Sequence, residues 1–191
     1  MSIDMLPQVP AKRFTHRLPR FGIVTIFCLL SLVWSPGTLL AQEPTCKLNG
    51  DEAYVASLMQ NSTEQNRAHL KCNGLLAVVA RQRANDMAQR GYFSHVSPDG
   101  IGPNYLVEAA GYQLPDWWGD SLSANYVESI AAGYTDVDQA WQGWMDSPSH
   151  SQHILGKISF FAEQTNYGIG VVDVPGSRYG KYYVVITAPP Q

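Results

Sequence analysis

The apolar positions of this chain change their spacing along its length, and the changes mark out its parts. Residues 21–34 read F-G-I-V-T-I-F-C-L-L-S-L-V-W, a single run without a charge. From about residue 50 to residue 155, apolar side chains recur every three or four positions, the spacing of one helix face. Tyr54, Val55, Leu58 and Met59 form the first such set, with Asp51 placed to cap it. The clearest set follows Asn73-Gly74. Leu76, Val79, Ala80, Ala84, Met87 and Ala88 share a face, and Gly91 stops the helix behind Arg90. The polar residues between these two sets give no clear period. A short helix is expected from Tyr105 to Ala110, ended by Gly111, and then a loop carrying Trp117-Trp118. Thr135-x-x-Asp138 reads as a capping box for a helix striped by Val137, Ala140, Trp141 and Trp144. Ser147-Pro148 opens another, with serine as cap and proline at the first helical position. Two strands close the chain, from Tyr167 to Val174 and from Lys181 to Thr187, joined by a hairpin-type connection. Helices first and strands last predict an α+β domain, its helices packed on a small antiparallel sheet.

The first apolar run is shorter than the roughly 20 residues that span a bilayer. Lys12, Arg13, Arg17 and Arg20 precede it, Ser35-Pro36-Gly37 ends it, and Ala41 is a small residue suited to cleavage. Residues 1–41 therefore read as a signal peptide and 42–191 as the mature domain, with an uncleaved anchor as the alternative. Cys28 is not placed for lipid attachment, because Phe27 stands before it. The leader holds four of the 13 basic residues and one of the 16 acidic ones, so the rest is more acidic than the formal −3 of the whole chain. That balance excludes nucleic acid and anionic membrane as main partners. Export leaves Cys46 and Cys72, an even pair that reads as one disulfide. The domain is expected to be secreted or periplasmic.

Candidate chemistry gathers between Tyr92 and Leu155. His95 follows a helix end, in a loop before the turn Pro98-Asp99-Gly100. His150 falls in the first turn of a helix, whose positive end keeps an imidazole neutral, as a divalent metal requires. Glu128 lies in an apolar stretch, where a carboxylate needs a partner. Two histidines and a glutamate could hold Zn or a similar divalent cation with positions left for water. Their separations along the chain are not a local metal spacing, so only the fold can bring them together. His153 shares a helix face with His150 and reads as structural. No glycine-flanked nucleophile turn surrounds Ser94, Ser149 or Ser151, which weakens a serine hydrolase reading. Trp117-Trp118 and the tyrosines read as core or rim, on a surface that would also suit an apolar ligand or a glycan.

Several segments, in order, resemble the CAP superfamily of cysteine-rich secretory, antigen-five and pathogenesis-related proteins, in its shorter microbial branch. They are Asn66-Arg67, Leu75-Leu76 running to Met87-Ala88, Phe93-Ser94-His95, Pro98-Asp99-Gly100 and Ala110-Gly111-Tyr112. Glu128-Ser129-Ile130-Ala131, the run from Trp144 through Ser147-Pro148 and His150 to Leu155, Tyr167 to Val171 and Tyr182-Tyr183-Val184 complete the set. The resemblance implies a three-layer α-β-α sandwich with a central cleft, lined in the family by two histidines and two acids. His95, Glu128 and His150 match three of those positions, while the fourth is Ser147. His153 stands where the family has asparagine. Glu128 could then serve as ligand, as a support for a ligand, or as a water-orienting base. The resemblance further implies a sterol or other lipid, a small molecule or a protein as partner. Three functions follow: a binding module for a small ligand or metal, a metal-dependent hydrolase of peptides or cell envelope, and a structural or interaction domain.

Overall fold

The last two strands of the chain form the centre of the sheet. In a computed structural model, which describes residues 44–191, β3 (Asn166–Asp173) and β4 (Lys181–Ala188) pair antiparallel. The shorter β2 (Glu128–Ala132) joins the free side of β4, antiparallel, and β1 (Lys71–Cys72) joins β3, parallel. The order is β1-β3-β4-β2. Neither short strand carries enough alternation to stand out in the sequence. The signal peptide expected over residues 1–41 lies outside the described residues.

Both faces of the sheet are covered, which makes a three-layer α+β sandwich. Tyr182, Val184 and Ile186 of β4 face α2 (Gly74–Arg90) and α3 (Pro103–Ala109). The alternate residues Tyr183 and Val185 face α1 (Gly50–Asn61), α4 (Val137–Met145) and α5 (Pro148–Ile154). A strand buried on both sides reads as an unbroken apolar run, as Tyr182–Ile186 does. The backbone of α2 lies directly on β3. A Cβ on Gly168 would stand 2.1 Å from the carbonyl carbon of Leu76, and one on Gly170 2.3 Å from that of Ala80. Two glycines two apart share one strand face, so at these two positions no side chain holds the helix off.

The helix ends follow local chemistry, with three shifts from the sequence expectation. Asn73 Oδ1 accepts from the N–H groups of Leu75 and Leu76, and Gly91 closes α2 at φ 68°, both as expected. The cap of α1 is Asn49, not Asp51. Asn49 and Glu52 exchange side chain-to-backbone hydrogen bonds of 2.9 Å, a complete capping box, while Asp51 pairs with Lys181. The cap of α4 is Asp136, not Thr135; its Oδ1 accepts from Gln139 N–H at 2.9 Å. α3 starts at Pro103, whose fixed φ suits the first helical position. Cys46 and Cys72 form the expected disulfide. It ties the segment before α1 to β1, after an irregular stretch rather than at a helix end. The closed loop stabilises by about 3 kcal/mol in the chain-entropy model.

Candidate functional site

Three elements converge where the sequence places its candidate chemistry. His95 lies in the loop after Gly91, Glu128 opens β2, and His150 sits in the first turn of α5. Together with Tyr126, Ser129, Ser149 and Phe161 they line one pocket of about 190 Å³. Asn125 fixes the start of β2, accepting from the N–H groups of Val127 and Glu128 and donating to the Glu128 carbonyl.

Glu128 is held by a residue that the sequence reading passed over. Its side chain is fully buried, and Arg83 of α2, itself 2% exposed, pairs with it. Arg83 Nε donates to Oε2 at 2.9 Å, and Nη2 reaches Oε1 at 3.5 Å. The same Nη2 donates to the carbonyls of Ser94 and His95 at 2.9 and 3.1 Å, and Nη1 to the Tyr92 hydroxyl at 2.6 Å. One guanidinium thus fixes both the carboxylate and the backbone of the histidine loop. Burial, reinforced by a hydrogen bond to Asp86, pushes the Tyr92 hydroxyl up to about 12, so it stays protonated. A signal for Arg83 exists in the sequence. It falls four residues after Val79 and four before Met87, on the apolar stripe of α2, where a charge must find a partner. Arg83 also lines a second pocket, of about 260 Å³, with Val79, Ile101, Tyr105 and Leu106.

The two pocket imidazoles are each anchored by one nitrogen. His95 Nδ1 lies 3.0 Å from Glu128 Oε1, so this nitrogen donates to the carboxylate. His150 Nδ1 lies 2.9 Å from the hydroxyl of Ser147, the N-cap of α5. Neither Nε2 has a hydrogen-bond partner among the described residues. Burial lowers the His150 pKa below its ordinary value, and the neighbouring His95 lowers it further. Ser147 itself supports His150 from outside the pocket lining.

His153 plays a different part. It is buried, with Nδ1 2.7 Å from Ser129 Oγ and Nε2 2.8 Å from Thr187 Oγ1. Thr187 spends its own proton on Gln164, so it accepts from His153 Nε2–H, and Ser129 donates to Nδ1. Both nitrogens are satisfied in the neutral ring. Burial, with the charge of Arg67 next in weight, pushes the pKa down to about 3.

This donor set fits some metal sites and not others. Among the described residues, no group of three or more His, Cys, Asp or Glu is arranged to hold a metal ion. Glu128 has both oxygens engaged by Arg83 and His95. Of the roles open to it, the geometry favours orienting His95. A catalytic zinc ion ordinarily takes three protein ligands. The pocket offers two imidazole Nε2 atoms, one fewer than that number.

The family model described as the Cysteine-rich secretory protein family (CAP) matches residues 63–187. The chain therefore belongs to the CAP family, as its ordered motifs and α-β-α layers led one to expect. No curated protein matches its sequence. Among solved structures it is similar to an extracellular SCP-domain protein of Bacillus anthracis, at 25% identity and a TM-score of 0.58. The match covers 74% of this chain and 41% of that one, so the chain spans less than half the length of this relative. An outer surface protein of Borrelia burgdorferi shares the fold at 17% identity and a TM-score of 0.53, covering 73% of this chain and 91% of that one.

Proposed function

We propose that this CAP domain is an exported binding module, whose pocket holds a divalent cation or a small ligand between His95 and His150. One observation carries the reading: both imidazoles line the same pocket with Nδ1 anchored and Nε2 free. The Glu128 carboxylate only accepts, so it sets the His95 tautomer that leaves an Nε2 lone pair toward an incoming group, the arrangement found behind metal-bound histidines, while the Ser147 hydroxyl, which can donate or accept, holds the His150 ring. His150, its pKa lowered by burial, is neutral at pH 7 and so carries a ring-nitrogen lone pair. A bound cation would supply Lewis acidity there. His95 and His150 would hold it, Glu128 and Ser147 would orient them, and Arg83 would keep Glu128 in place. The basic and apolar leader supports export, as do the extracellular and outer-surface relatives.

A metal-dependent hydrolase is the weaker reading. It needs a carboxylate free to take a proton from water, and Glu128 is committed to Arg83 and His95. Calorimetric titration of the purified protein with Zn tests the binding reading. We expect close to one ion per chain, lost in the His95→Ala/His150→Ala variant while its thermal unfolding stays cooperative. Absence of binding by the wild-type protein, after chelation and dialysis, would remove the cation from this proposal.

A further inference from the structure

Five aromatic rings run from the surface into this pocket without a gap. Trp117 is 72% exposed. Its ring stands perpendicular to those of Phe160 and Trp118, at centroid distances of 6.1 and 6.0 Å. Phe160 meets Tyr126 at 5.8 Å and Phe161 at 5.2 Å, and Tyr126 meets Trp118 at 5.5 Å. Tyr126 and Phe161 are pocket-lining residues. These spacings are those of interlocked aromatic pairs, so the rings support one another as a fixed surface. Scattered exposed apolar side chains need no explanation, but a tryptophan braced at this exposure beside a polar pocket does.

We propose that this strip and the pocket together bind a neutral saccharide, with one sugar ring in the pocket and a later unit stacked on Trp117. The proposal rests on the pocket being a binding site, and not on which ion it holds. The lining decides the ligand class. A sugar ring offers apolar C–H faces and a rim of hydroxyls, and the site offers aromatic rings beside polar groups. The hydroxyls of Ser149 and Tyr126, and the two Nε2 atoms where no cation occupies them, can pair with sugar hydroxyls. The charges present are already compensated: Arg83 neutralises Glu128. No unpaired cation lines the pocket to select an anion, and its mixed lining does not suit a hydrocarbon chain. The volume, about 190 Å³, is that of roughly one sugar unit, so a longer glycan must extend onto the neighbouring surface, where Trp117 stands.

The test titrates the purified protein calorimetrically with cello-, chito-, manno- and malto-oligosaccharides at millimolar concentration, beside the Trp117→Ala and Ser149→Ala variants. At a site this exposed, truncating the indole should leave the fold intact. We expect at least one series to bind, more tightly as a second and third unit are added. Trp117→Ala should weaken the longer sugars at least tenfold, a loss of about 1.4 kcal/mol, and leave Zn affinity unchanged. Ser149→Ala should weaken short and long sugars alike. Failure of every series to bind would overturn the proposal, as would binding indifferent to Trp117→Ala. So would Trp117-dependent binding to phosphatidylcholine vesicles without sugar binding, which would make the strip a membrane contact. Sugar binding that depends on Trp117 in a protein that takes no Zn would uphold the proposal and sink only the cation.

Discussion

Two buried arginines divide the labour in this fold. Arg83 meets a buried carboxylate, whereas Arg67 has no carboxylate partner among the described residues. Arg67 instead donates to the carbonyls of Phe161, Ile154 and His153 at 2.7–2.9 Å. Two of these lie in the last turn of α5, whose final carbonyls have no partners within the helix. Burial lowers the Arg67 pKa to about 10, yet the group stays charged at neutral pH and complements the negative helix end. Arg67 thus fastens one piece of backbone to another. Arg83 does that too, through the Ser94 and His95 carbonyls, but it also fixes an anion whose other contact is a pocket histidine. The same side chain at the same depth serves stability in one place and orientation in the other, and its partner decides which.

Removing each cation separates the two roles most strongly. Arg83→Met leaves Glu128 buried and uncompensated, and should cost about 3–5 kcal/mol in denaturant unfolding. Arg83→Met/Glu128→Gln should recover much of that loss. Arg67→Met removes hydrogen bonds to three carbonyls that each keep a second donor, and it strands no charge, so it should cost less, about 1–3 kcal/mol. An equal or larger loss from Arg67→Met would break the comparison.

Acid sharpens it next. His153, beside Arg67, has its folded pKa depressed to about 3 from an ordinary value near 6.5. The unfolded chain therefore binds this proton first. The stability that the neutral ring contributes is complete above about pH 6.5 and falls as the pH drops toward 3. By pH 5 the loss is about 2 kcal/mol, at 1.36 kcal/mol per unit. His150 acts in the same direction, since burial lowers its pKa as well. Unfolding curves at pH 7 and pH 5 should show the drop, and His153→Asn should flatten it. Arg67→Met should also flatten it, because the Arg67 charge helps hold the His153 pKa down. Unchanged pH dependence in both variants would detach His153 from the acid response.

The smallest effect probes orientation alone. Arg83→Lys keeps a charge for Glu128 but not the fork that also grips the loop carbonyls. It should weaken Zn binding about tenfold, the lower end for supporting groups around metal ligands. The His95 ring resonances should shift with it, while those of the Arg67–His153 region stay in place. Arg67→Lys should leave Zn affinity alone.

The helices and their order were legible because their signals are local. Asn73 and Gly91 bound α2 where capping chemistry places them, and Ser147-Pro148 opens α5. Competing caps one or two residues apart, Asp51 against Asn49 and Thr135 against Asp136, are settled only by which oxygen reaches the third N–H of the helix. β1 and β2 were not legible, since each is short and pairs with a strand far along the chain. His95, Glu128 and His150 could be named from their surroundings and the CAP resemblance. Arg83 shows in the sequence only as a charge on the apolar stripe of α2, and the partner that explains the misfit lies 45 positions away.

The strands at the middle of the sheet are also the last elements of the domain in sequence order. β1 pairs only with β3 and β2 only with β4, so both wait for residues 166–188. A nascent chain that stops before residue 166 carries helices with apolar faces and no sheet to receive them. Pairing between such distant partners is slow, and it cannot begin until the final hairpin emerges. Until those strands have emerged the domain stays open, the form in which a polypeptide can be threaded through a narrow channel, and the sheet closes only once residues 166–188 are present.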